Sequence, residues 1–508
     1  MMYKHLKLVT TILLSASLLA LTVQGCKKEP IDSEDSSLSS NGDADDNFIS
    51  LEGDLQISDF VWKGLNEFYY WQEEVNVLSD TLLQDSKAYA QYINNNSLPE
   101  TFFESLKHPD DRFSWIQDDY LELENSLQGI IASNGVEFGL LLACQNCIEV
   151  IGFVKYILAD SDASEKNIKR GDFFTGVNGK ILTVNNYRNL LFSDELSYSL
   201  NMVSIQNGVV SNNGVVVELM KEENFETNPI QVSKILSTDT GNVGYLMYNQ
   251  FVASKSSDLN QAFADFNANG VKDLIIDLRY NGGGSVRNCV ELASMITGQF
   301  TYDIFSNEQW NTKLEVYLKK TFGSESQINR FVNSLSDGET INSLKLSRVY
   351  VLTTSESASA SELLINGLAP LIEVVQIGEQ TVGKNVGSIT VYDYIDNDKT
   401  RNPDHRYAMQ PIVLKIANSV GFADYAEGLE PSTLIEEDIQ NLGTLGEMDE
   451  PFLAAALSLI SGTPGEAKYN IPKAQWSRKL LIEDPLLLKR QRMFLDKELT
   501  VGITKKNN

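Results

Sequence analysis

The sequence predicts a multidomain α+β protein in which a helical N-terminal region precedes a smaller β domain and an α/β core. Residues 55–125 carry a stripe of apolar side chains at helical spacing. Residues 130–225 contain short β-type runs, and residues 241–460 alternate between strand-like and helix-like segments. These three changes in pattern predict the order of the domains along the chain.

The composition limits the classes of function. The chain has 508 residues, of which 42% are apolar, enough for several buried cores. It carries 41 Lys and Arg against 69 Asp and Glu, a formal charge of -28. Such an acidic surface repels phosphate groups, which excludes a nucleic acid partner. Four cysteines exclude a disulfide scaffold, and three histidines leave little material for a His-rich metal site.

The N-terminus is typical of an export signal. Two lysines precede a 14-residue apolar stretch, Leu8–Leu21, which is short for a membrane span. The pair Gly25-Cys26 then resembles a bacterial lipoprotein cleavage site with Cys26 as the lipidated first residue. The alternative is an ordinary signal peptide that ends near a cysteine. We predict an exported outer-membrane lipoprotein that faces the periplasm or the cell surface.

The segment after Cys26 predicts a disordered tether, because it is acidic, rich in serine and poor in apolar residues. Acids soon after a lipidated cysteine resemble surface-export signals of Bacteroidota lipoproteins, although a solvated linker explains them almost as well. The predicted divisions are a signal peptide (1–25), a lipidated acidic linker (26–54), a helical domain (55–128), a β domain (129–230), a core (231–462) and a C-terminal extension (463–508).

Local patterns predict individual elements. Ser58 is placed to cap the first helix, and Asn178-Gly179 signals a tight hairpin. The predicted strands are Gly139–Leu142, Ile148–Tyr156, Val215–Met220, Asp273–Leu278, Arg348–Thr353 and Glu373–Ile377. The predicted helices are Val286–Ile296, Ala360–Leu371 and, after Pro485, Leu486–Leu499.

The first motif with chemical potential is DLRYNGGG at residues 277–284, between a predicted strand and a predicted helix. Consecutive glycines there let backbone N–H groups face a bound group at a helix N-terminus. Three interpretations are open: a phosphate cradle, an oxyanion hole, or a tight turn without a ligand. The spacing lacks G-x-G-x-x-G, so the dinucleotide fingerprint is not met.

The second motif is SESASASE at residues 355–362. Ser359 and Glu362 match a capping box, so one interpretation is a plain helix cap. The other places a nucleophilic serine at the helix start, where the helix dipole stabilises developing negative charge. The small Ala358 and Ala360 would then leave room for a substrate backbone.

The third motif is GEQTVGKN at residues 378–385, a near miss for the nucleotide P-loop. Asn385 stands where the magnesium-binding hydroxyl belongs, which argues against nucleotide. For Lys384 of this motif, one alternative is an exposed lysine on the surface. The other is a buried lysine on a glycine-flanked turn, where Val382 and Val386 cover it and no acid is adjacent. Desolvation lowers the pKa of a lysine, to about 5–6 in extreme cases, so that a neutral amine acts as a base.

No histidine lies near these motifs in the sequence. A Ser-His-Asp triad would therefore need the distant His108 or His405. Ser359 followed by Lys384 is instead a Ser-Lys arrangement, a known variant of the same chemistry.

Together the three motifs resemble those of the C-terminal processing (tail-specific) serine peptidases, whose pattern runs D-L-R-x-N-x-G-G, S-A-S-A-S-E and G-E-x-T-x-G-K. The resemblance implies a serine-protease core of the ClpP/crotonase-like fold, with Ser359 as nucleophile and Lys384 as general base. It also implies an oxyanion hole formed by the Ala360 N–H together with the N–H of Gly283 or Gly284.

One position departs from the family pattern. Members often carry a Gln four residues after the lysine, and this chain has Ser388 there. Ser388 is therefore a candidate for orienting the lysine, and the departure leaves open what positions it.

The β domain resembles the PDZ domain of the same family, and the whole resemblance covers roughly residues 55–460. Residues 168–172 and 177–179 match the later PDZ signature. The matches to the carboxylate-binding loop, which would bind the substrate, are Glu137, Phe138, Gly139 and Leu140.

Cys144 and Cys147 form a C-x-x-C without a second pair of metal ligands or a thioredoxin-like context. We predict a structural role, as two thiols or as a local disulfide.

The resemblance implies an exported serine endopeptidase that acts on protein or peptide substrates and needs no metal or organic cofactor. Its only membrane attachment would be the lipid, and a peptide would enter as an added strand. A rival hypothesis is a catalytically inactive, protease-like peptide-binding surface lipoprotein. The presence of Ser388 in place of the family's usual Gln keeps this hypothesis open. A nutrient-binding lipoprotein would need none of the three motifs.

Overall fold

The structure, a computed structural model, describes residues 52–144, 146–206, 208–462 and 491–496. The predicted signal peptide, Cys26 and most of the acidic linker lie outside these residues. The described α-helices are α1 (Asp54–Phe68), α2 (Ser86–Asn94), α3 (Pro99–Ser105), α4 (Tyr120–Leu127), α5 (Tyr187–Leu191), α6 (Ser256–Ala268), α7 (Val286–Thr297), α8 (Thr312–Phe322), α9 (Ala360–Leu368) and α10 (Pro451–Ser461).

The strands form five sheets in the described part of the chain. In chain order they are β1 (Trp115–Gln117), β2 (Ile130–Ser133), β3 (Val136–Leu142), β4 (Val150–Ile157), β5 (Phe173–Val177), β6 (Lys180–Ile181), β7 (Ser197–Gln206), β8 (Val209–Met220), β9 (Glu222–Glu226), β10 (Ile230–Thr238), β11 (Gly241–Tyr248), β12 (Asp273–Asp277), β13 (Gly283–Ser285), β14 (Ile304–Trp310), β15 (Ile328–Arg330), β16 (Arg348–Thr353), β17 (Glu373–Gly378), β18 (Val386–Ser388), β19 (Val391–Tyr392), β20 (Ala408–Gln410), β21 (Ile412–Asn418), β22 (Thr433–Leu434) and β23 (Arg492–Phe494).

The mixed α+β fold class, with helices at the N-terminus, is confirmed. Helix α1 buries its predicted apolar stripe, and Trp62 and Leu65 are fully enclosed in one cluster with Leu246 and Phe263 of the core. The N-terminal helices and the core therefore share a single hydrophobic interior. The predicted cap is wrong: α1 begins at Asp54, and the Ser58 hydroxyl inside the helix donates to the Asn96 carbonyl at 2.8 Å.

The β domain is an antiparallel sheet in the order β3-β4-β5-β7-β8, with β6 paired to β5. Its own apolar cluster joins strand residues such as Leu140 and Phe174 to Leu191 of helix α5. Asn178 and Gly179 join β5 to β6 with φ of 51° and 75°, so the predicted hairpin turn is confirmed. Strand β3 lies at one edge of this sheet.

The core contains the sheet β10-β11-β12-β16-β17-β22, in which every pair except β10 and β11 is parallel. The strands predicted at β12, β16 and β17 are confirmed, and α9 ends at Leu368 rather than at the predicted Leu371. Each of the three motifs follows one of these strands. Because β12, β16 and β17 are adjacent and parallel, their carboxyl ends place all three motifs side by side, where α/β sheets bind ligands.

A buried ion cluster fixes the end of β12. The Arg279 guanidinium is fully enclosed, with Nη2 at 2.7 Å from the Asp277 carboxylate and Nη1 at 2.6 Å from that of Glu450, the N-cap of α10. Removing one partner of such a cluster leaves a buried charge unpaired, which costs about 3–5 kcal/mol. The cluster ties the first motif to the helix beneath the sheet.

A second core sheet has the order β13-β23-β18-β21-β14-β15. Its strand β23 belongs to the segment 491–496, so the helix predicted over Leu486–Leu499 is wrong at Arg492–Phe494. The described Gln491, Leu495 and Asp496 are not helical either, and residues 486–490 and 497–499 of that predicted helix lie outside the described residues. Among the described helices, none combines the length and the apolar character needed to cross a membrane.

Candidate active site

Ser359 lies in the turn between β16 and α9, immediately before the first helical residue. It is fully buried and has φ of 66°, a left-handed conformation that costs a non-glycine residue about 1–3 kcal/mol. Its Oγ makes no hydrogen bond with any described residue. A strained, buried hydroxyl without a partner is unlike a structural serine and is consistent with a group kept available for chemistry.

The two neighbouring serines behave differently. Ser357 Oγ donates to the Leu278 carbonyl at 2.8 Å, and Ser361 Oγ donates to the Asn281 carbonyl at 2.9 Å. Both hydroxyls therefore fasten the second motif to the first. Of these three buried serines, only Ser359 has a hydroxyl that carries no structural bond.

The interpretation of Ser359 as a helix cap is half right. The Glu362 carboxylate accepts the Ser359 N–H at 2.6 Å, which is one half of a capping box. The other half is present only as an arrangement, because the Ser359 side chain faces the backbone N–H of Glu362 but its hydroxyl makes no hydrogen bond there. The cap is thus provided by the glutamate, which leaves the serine side chain free of that role.

Lys384 is buried in the third motif and is 3% exposed. Its Nζ donates to the Gln491 carbonyl at 2.6 Å and lies 4.9 Å from the ring centre of Phe113. The pKa of Lys384 is lowered to about 7: burial is the largest cause and the positive charge of Arg492 adds to it, while Asp111 and Glu362 oppose the shift. A large fraction of this amine is therefore neutral near neutral pH.

The surroundings of Lys384 differ from the sequence expectation in one respect. The prediction of no adjacent acid is wrong, since both Asp111 and Glu362 act electrostatically on the lysine. Neither forms a direct ion pair with it: the Asp111 carboxylate accepts the Tyr69 hydroxyl and the backbone N–H groups of Phe113 and Ser114. Burial therefore lowers the pKa of Lys384 by more than the two acids raise it.

Glu362 connects the second and third motifs. Its Oε2 accepts the backbone N–H groups of Ser359 at 2.6 Å and Lys384 at 2.8 Å. Its Oε1 accepts the Gly383 N–H at 2.7 Å and the Thr381 hydroxyl at 2.5 Å. Four donors facing two oxygens suit an ionised carboxylate. Burial raises the pKa of Glu362, and these hydrogen bonds oppose that shift.

This arrangement also excludes the P-loop interpretation. In a P-loop the backbone N–H groups around the lysine face a phosphate. Here those of Gly383 and Lys384 already face a carboxylate, and Asn385 donates its side-chain N–H to the Ala423 carbonyl at 2.6 Å.

The glycine turn of the first motif lies against Ser359. Gly283 and Gly284 have φ of 108° and 143°, and a Cβ on Gly284 would lie 2.1 Å from the Phe251 carbonyl oxygen, so only glycine fits.

The Gly283 N–H donates to Asn281 Oδ1 at 2.8 Å, which leaves the Gly284 N–H as the better candidate for an oxyanion hole. Ala360 is the first residue of α9, so its N–H has no intrahelical acceptor.

Ser388 does not contact Lys384 through any hydrogen bond of the described residues. Its hydroxyl lies 2.7 Å from Oε1 of Gln410 and 3.2 Å from the Met493 carbonyl. The Gln410 amide in turn donates to Thr390 at 2.6 Å. The predicted orienting role thus receives no support from these contacts, and Lys384 is held by Gln491, Phe113 and the packing around them.

Sequence reasoning missed the loop between α3 and β1. Phe113 packs under the Lys384 ammonium, and Arg112 donates to the Gly383 carbonyl at 2.8 Å and to the Ala426 carbonyl at 2.9 Å. The loop therefore covers the lysine and fixes the residue before it. The only local signal in the sequence was Phe113, an aromatic residue in a polar turn, whose position fits neither helical nor strand spacing.

The two histidines considered as alternative bases have other partners. His108 stacks on Trp71, with ring centres 5.6 Å apart. His405 Nε2 lies 3.1 Å from the Asp393 carboxylate. Neither makes a hydrogen bond with Ser359. Within the described part of the chain, no group of three or more His, Cys, Asp or Glu side chains is arranged to hold a metal ion.

The predicted carboxylate-binding residues Glu137, Phe138, Gly139 and Leu140 lie inside strand β3 and not in a loop. Asn134 and Gly135 connect β2 to this strand. Cys144 and Cys147, just beyond β3, form a disulfide. The sequence motif therefore marks the edge strand of the β domain.

The β domain contacts the turns of the candidate site directly. Lys155 of β4 pairs with Glu356, three residues before Ser359, with Nζ 2.5 Å from the carboxylate. Arg170 donates to the Tyr280 hydroxyl at 2.7 Å and pairs with Glu437 at 3.0 Å. Tyr280 belongs to the first motif, so both turns around Ser359 are fastened to the β domain.

Comparisons with known proteins match this architecture. The family model described as Peptidase family S41 matches residues 242–407, and that of the Peptidase S41 N-terminal domain matches residues 56–115. An S41 protease structure from Bacteroides fragilis superposes with a TM-score of 0.61 at 24% sequence identity, covering 79% of this chain and 97% of that one. That likeness establishes the fold.

Curated relatives match over a shorter span. A CtpA-like serine protease of Staphylococcus epidermidis is 24% identical over 194 residues, 37% of this chain and 35% of the relative. A CtpA-like serine protease of Staphylococcus aureus is 25% identical over 170 residues, 34% of this chain and 30% of the relative. The chain therefore spans about a third of the length of these relatives.

We expect Glu362→Gln to destabilise the fold by about 3 kcal/mol, because the glutamine amide would turn an N–H toward donors that now face a carboxylate. The matched control is Glu430→Gln, since Glu430 is exposed and lies outside this network. Urea unfolding followed by tryptophan fluorescence measures the difference. Equal stability of the two variants would show that Glu362 does not hold the two turns.

Proposed function

Because the chain belongs to peptidase family S41, we propose that it is a serine endopeptidase of the C-terminal processing type, with Ser359 as nucleophile and Lys384 as general base. One observation carries the proposal. A strained, unpartnered serine hydroxyl and a buried lysine with a lowered pKa are held by the same carboxylate, that of Glu362.

In the proposed reaction, the neutral Lys384 amine accepts the Ser359 Oγ proton while Oγ bonds to the scissile carbonyl carbon. The Ala360 and Gly284 N–H groups stabilise the oxyanion, and one such donor contributes about 10²–10³ in rate. The protonated lysine then donates its proton to the leaving amine, which completes the acyl-enzyme. Water attacks the ester with Lys384 again as base, and this releases the acid product and restores the serine.

The charge state of Lys384 suits this role. An ordinary lysine, with a pKa of about 10.4, is almost wholly protonated at neutral pH and cannot accept a proton. Here burial, to which the packing against Phe113 contributes, is the largest cause that favours the neutral amine. No metal or organic cofactor enters any step.

The β domain is the proposed site of substrate selection. Strand β3 lies at the sheet edge, and its Phe138 ring lies 5.9 Å from that of Phe192, the C-cap of α5. PDZ domains add a peptide C-terminus as a further strand at such a sheet edge. The ion pair of Lys155 with Glu356 and the contacts of Arg170 with Tyr280 then link the peptide-binding sheet to the turns beside Ser359. The substrates proposed are protein or peptide chains recognised at their C-terminal ends.

The rival non-enzymatic function, capture of a peptide without cleavage, is less well supported. A binding scaffold has no physical need for a strained serine with a free hydroxyl or for a buried lysine. Both features cost stability, and Ser388 does not take part in holding the lysine. Export, the lipid on Cys26, and a periplasmic or surface position remain part of the proposal and rest on the sequence alone.

We expect Ser359→Ala to abolish hydrolysis of a fluorogenic peptide while the fold is retained, because the hydroxyl carries no structural bond. The matched controls are Ser357→Ala and Ser361→Ala. Each loses one buried hydrogen bond, which costs about 1 kcal/mol of stability, and should keep most of the activity. Initial rates and circular dichroism measure both effects. Full activity in Ser359→Ala, or its loss only in Ser357→Ala, would place the nucleophile elsewhere.

We expect kcat/KM on a peptide without ionising groups to fall about tenfold per pH unit as the pH drops below about 7, because protonated Lys384 cannot accept the serine proton. Lys384→Arg keeps the charge but cannot deprotonate, and Lys384→Met keeps the volume without a base, so both should be inactive. A pH–rate profile checks the first point. Substantial activity in Lys384→Arg would assign the base to another residue.

A further inference from the structure

The segment 491–496 occupies the groove between β13 and β18, directly at the candidate active site. Its strand β23 pairs in parallel with both neighbours, Gly283 facing Arg492 and Ser388 facing Phe494. The Arg492 N–H donates to the Gly282 carbonyl at 2.9 Å, and the Leu495 N–H donates to the Ser388 carbonyl at 3.1 Å. The chain's own C-terminal segment is thus bound as an added strand.

The backbone of this segment passes over the proposed catalytic groups. A Cβ built on Gly283 would lie 2.2 Å from the Arg492 carbonyl oxygen, 2.6 Å from Ser359 Cβ and 2.9 Å from the Ala360 nitrogen. One point in space therefore adjoins the Arg492 carbonyl, the nucleophile and an oxyanion donor. The preceding carbonyl, that of Gln491, accepts from Lys384 Nζ at 2.6 Å. A substrate backbone would have to lie in the same place.

Neither wall of the groove depends on β23. Strand β13 is bonded on its other side to Phe251, whose N–H donates to Gly283 at 2.9 Å and whose carbonyl accepts from Ser285 at 2.9 Å. Strand β18 is paired on its other side with β21. Both walls of the groove therefore keep backbone hydrogen bonds to a neighbouring segment when β23 leaves. Another peptide strand can then take the place of β23.

The side chains of the segment identify what the groove accepts. Met493, Phe494 and Leu495 are all buried. Asp496 accepts a hydrogen bond from the Ser285 hydroxyl and lies 3.7 Å from the Arg287 guanidinium. The groove therefore receives three consecutive apolar residues followed by an acid.

We propose that the groove between β13 and β18 is the substrate-strand site, and that residues 491–496 fill it as an intramolecular pseudosubstrate that holds the protein in an off state. In this state Lys384 donates to Gln491 and the Ser359 hydroxyl has no partner, so the proposed proton transfer is not set up. The ligand class is an extended peptide with an apolar triplet followed by Asp or Glu. This inference rests on the proposed function, because an off state presupposes an active one.

Two variants weaken the docked strand without touching Ser359 or Lys384. Leu495→Pro removes the N–H that bonds to the Ser388 carbonyl, and Asp496→Ala removes the contacts with Ser285 and Arg287.

The matched control is Asp80→Ala, because Asp80 also has one ion pair, with Lys313, and one side-chain hydrogen bond, with Asn66. The full-length chain is used throughout.

The first measurement is kcat/KM on a short fluorogenic peptide. We expect both docking variants to exceed the wild type at least fivefold, with Asp80→Ala unchanged. A synthetic peptide of residues 488–499 should then inhibit Leu495→Pro competitively, whereas a scrambled peptide should not. An active wild type whose two docking variants match Asp80→Ala would overturn the inference and leave the proposed function intact.

The second measurement does not require activity. The same peptide, labelled with a fluorophore, should bind Leu495→Pro in a Ser359→Ala background at least tenfold more tightly than Ser359→Ala alone, because the groove is then open. If it binds in this way while no variant hydrolyses any peptide, the groove assignment stands and the proposed function fails. Equal weak binding to both proteins would refute the groove assignment. Asp496→Ala in the same background gives a second comparison if Leu495→Pro fails to fold.

Discussion

The carboxylate of Glu362 is the interaction on which the candidate site depends. It accepts four hydrogen bonds from the second and third motifs, and two of its donors are the backbone N–H groups of Ser359 and Lys384. These residues follow different strands, so nothing local fixes their separation. A buried carboxylate between two turns does so, at the cost of desolvating a charge that only this number of donors can offset.

Lys384 depends in turn on parts of the chain far from it in sequence. Phe113 and Arg112 come from the N-terminal region, whose helices share one hydrophobic interior with the core. The Gln491 carbonyl comes from the C-terminal segment. The low pKa of the lysine is therefore a property of the assembled fold, because burial is its largest cause. A fragment limited to residues 242–407 would lack both covers of the lysine.

Much of this site could be predicted from the sequence, since strands β12, β16 and β17 are buried apolar runs that end in turn residues, and each motif follows one of them. The sequence could not place Phe113 over Lys384, because that contact joins residues 271 apart and arises from packing. The helix predicted to start after Pro485 is also wrong at Arg492–Phe494, which form a strand. Pairing with β13 and β18 overrides that local preference, as tertiary context commonly does. Ser388 was predicted to orient Lys384 because it stands four residues after the lysine, where family members often carry a Gln. Its hydroxyl bonds to Gln410 instead.

The most direct test of the central claim is a titration of Lys384 itself. Lysine labelled with ¹³C at Cε in the Ser359→Ala protein gives one resonance per lysine, and the resonance that disappears in Lys384→Arg identifies the residue. Its chemical shift should titrate with a midpoint of about 7, set by burial in the assembled site. A midpoint near the ordinary lysine value of about 10.4 would contradict the account, because a protonated Lys384 could not serve as a base at neutral pH.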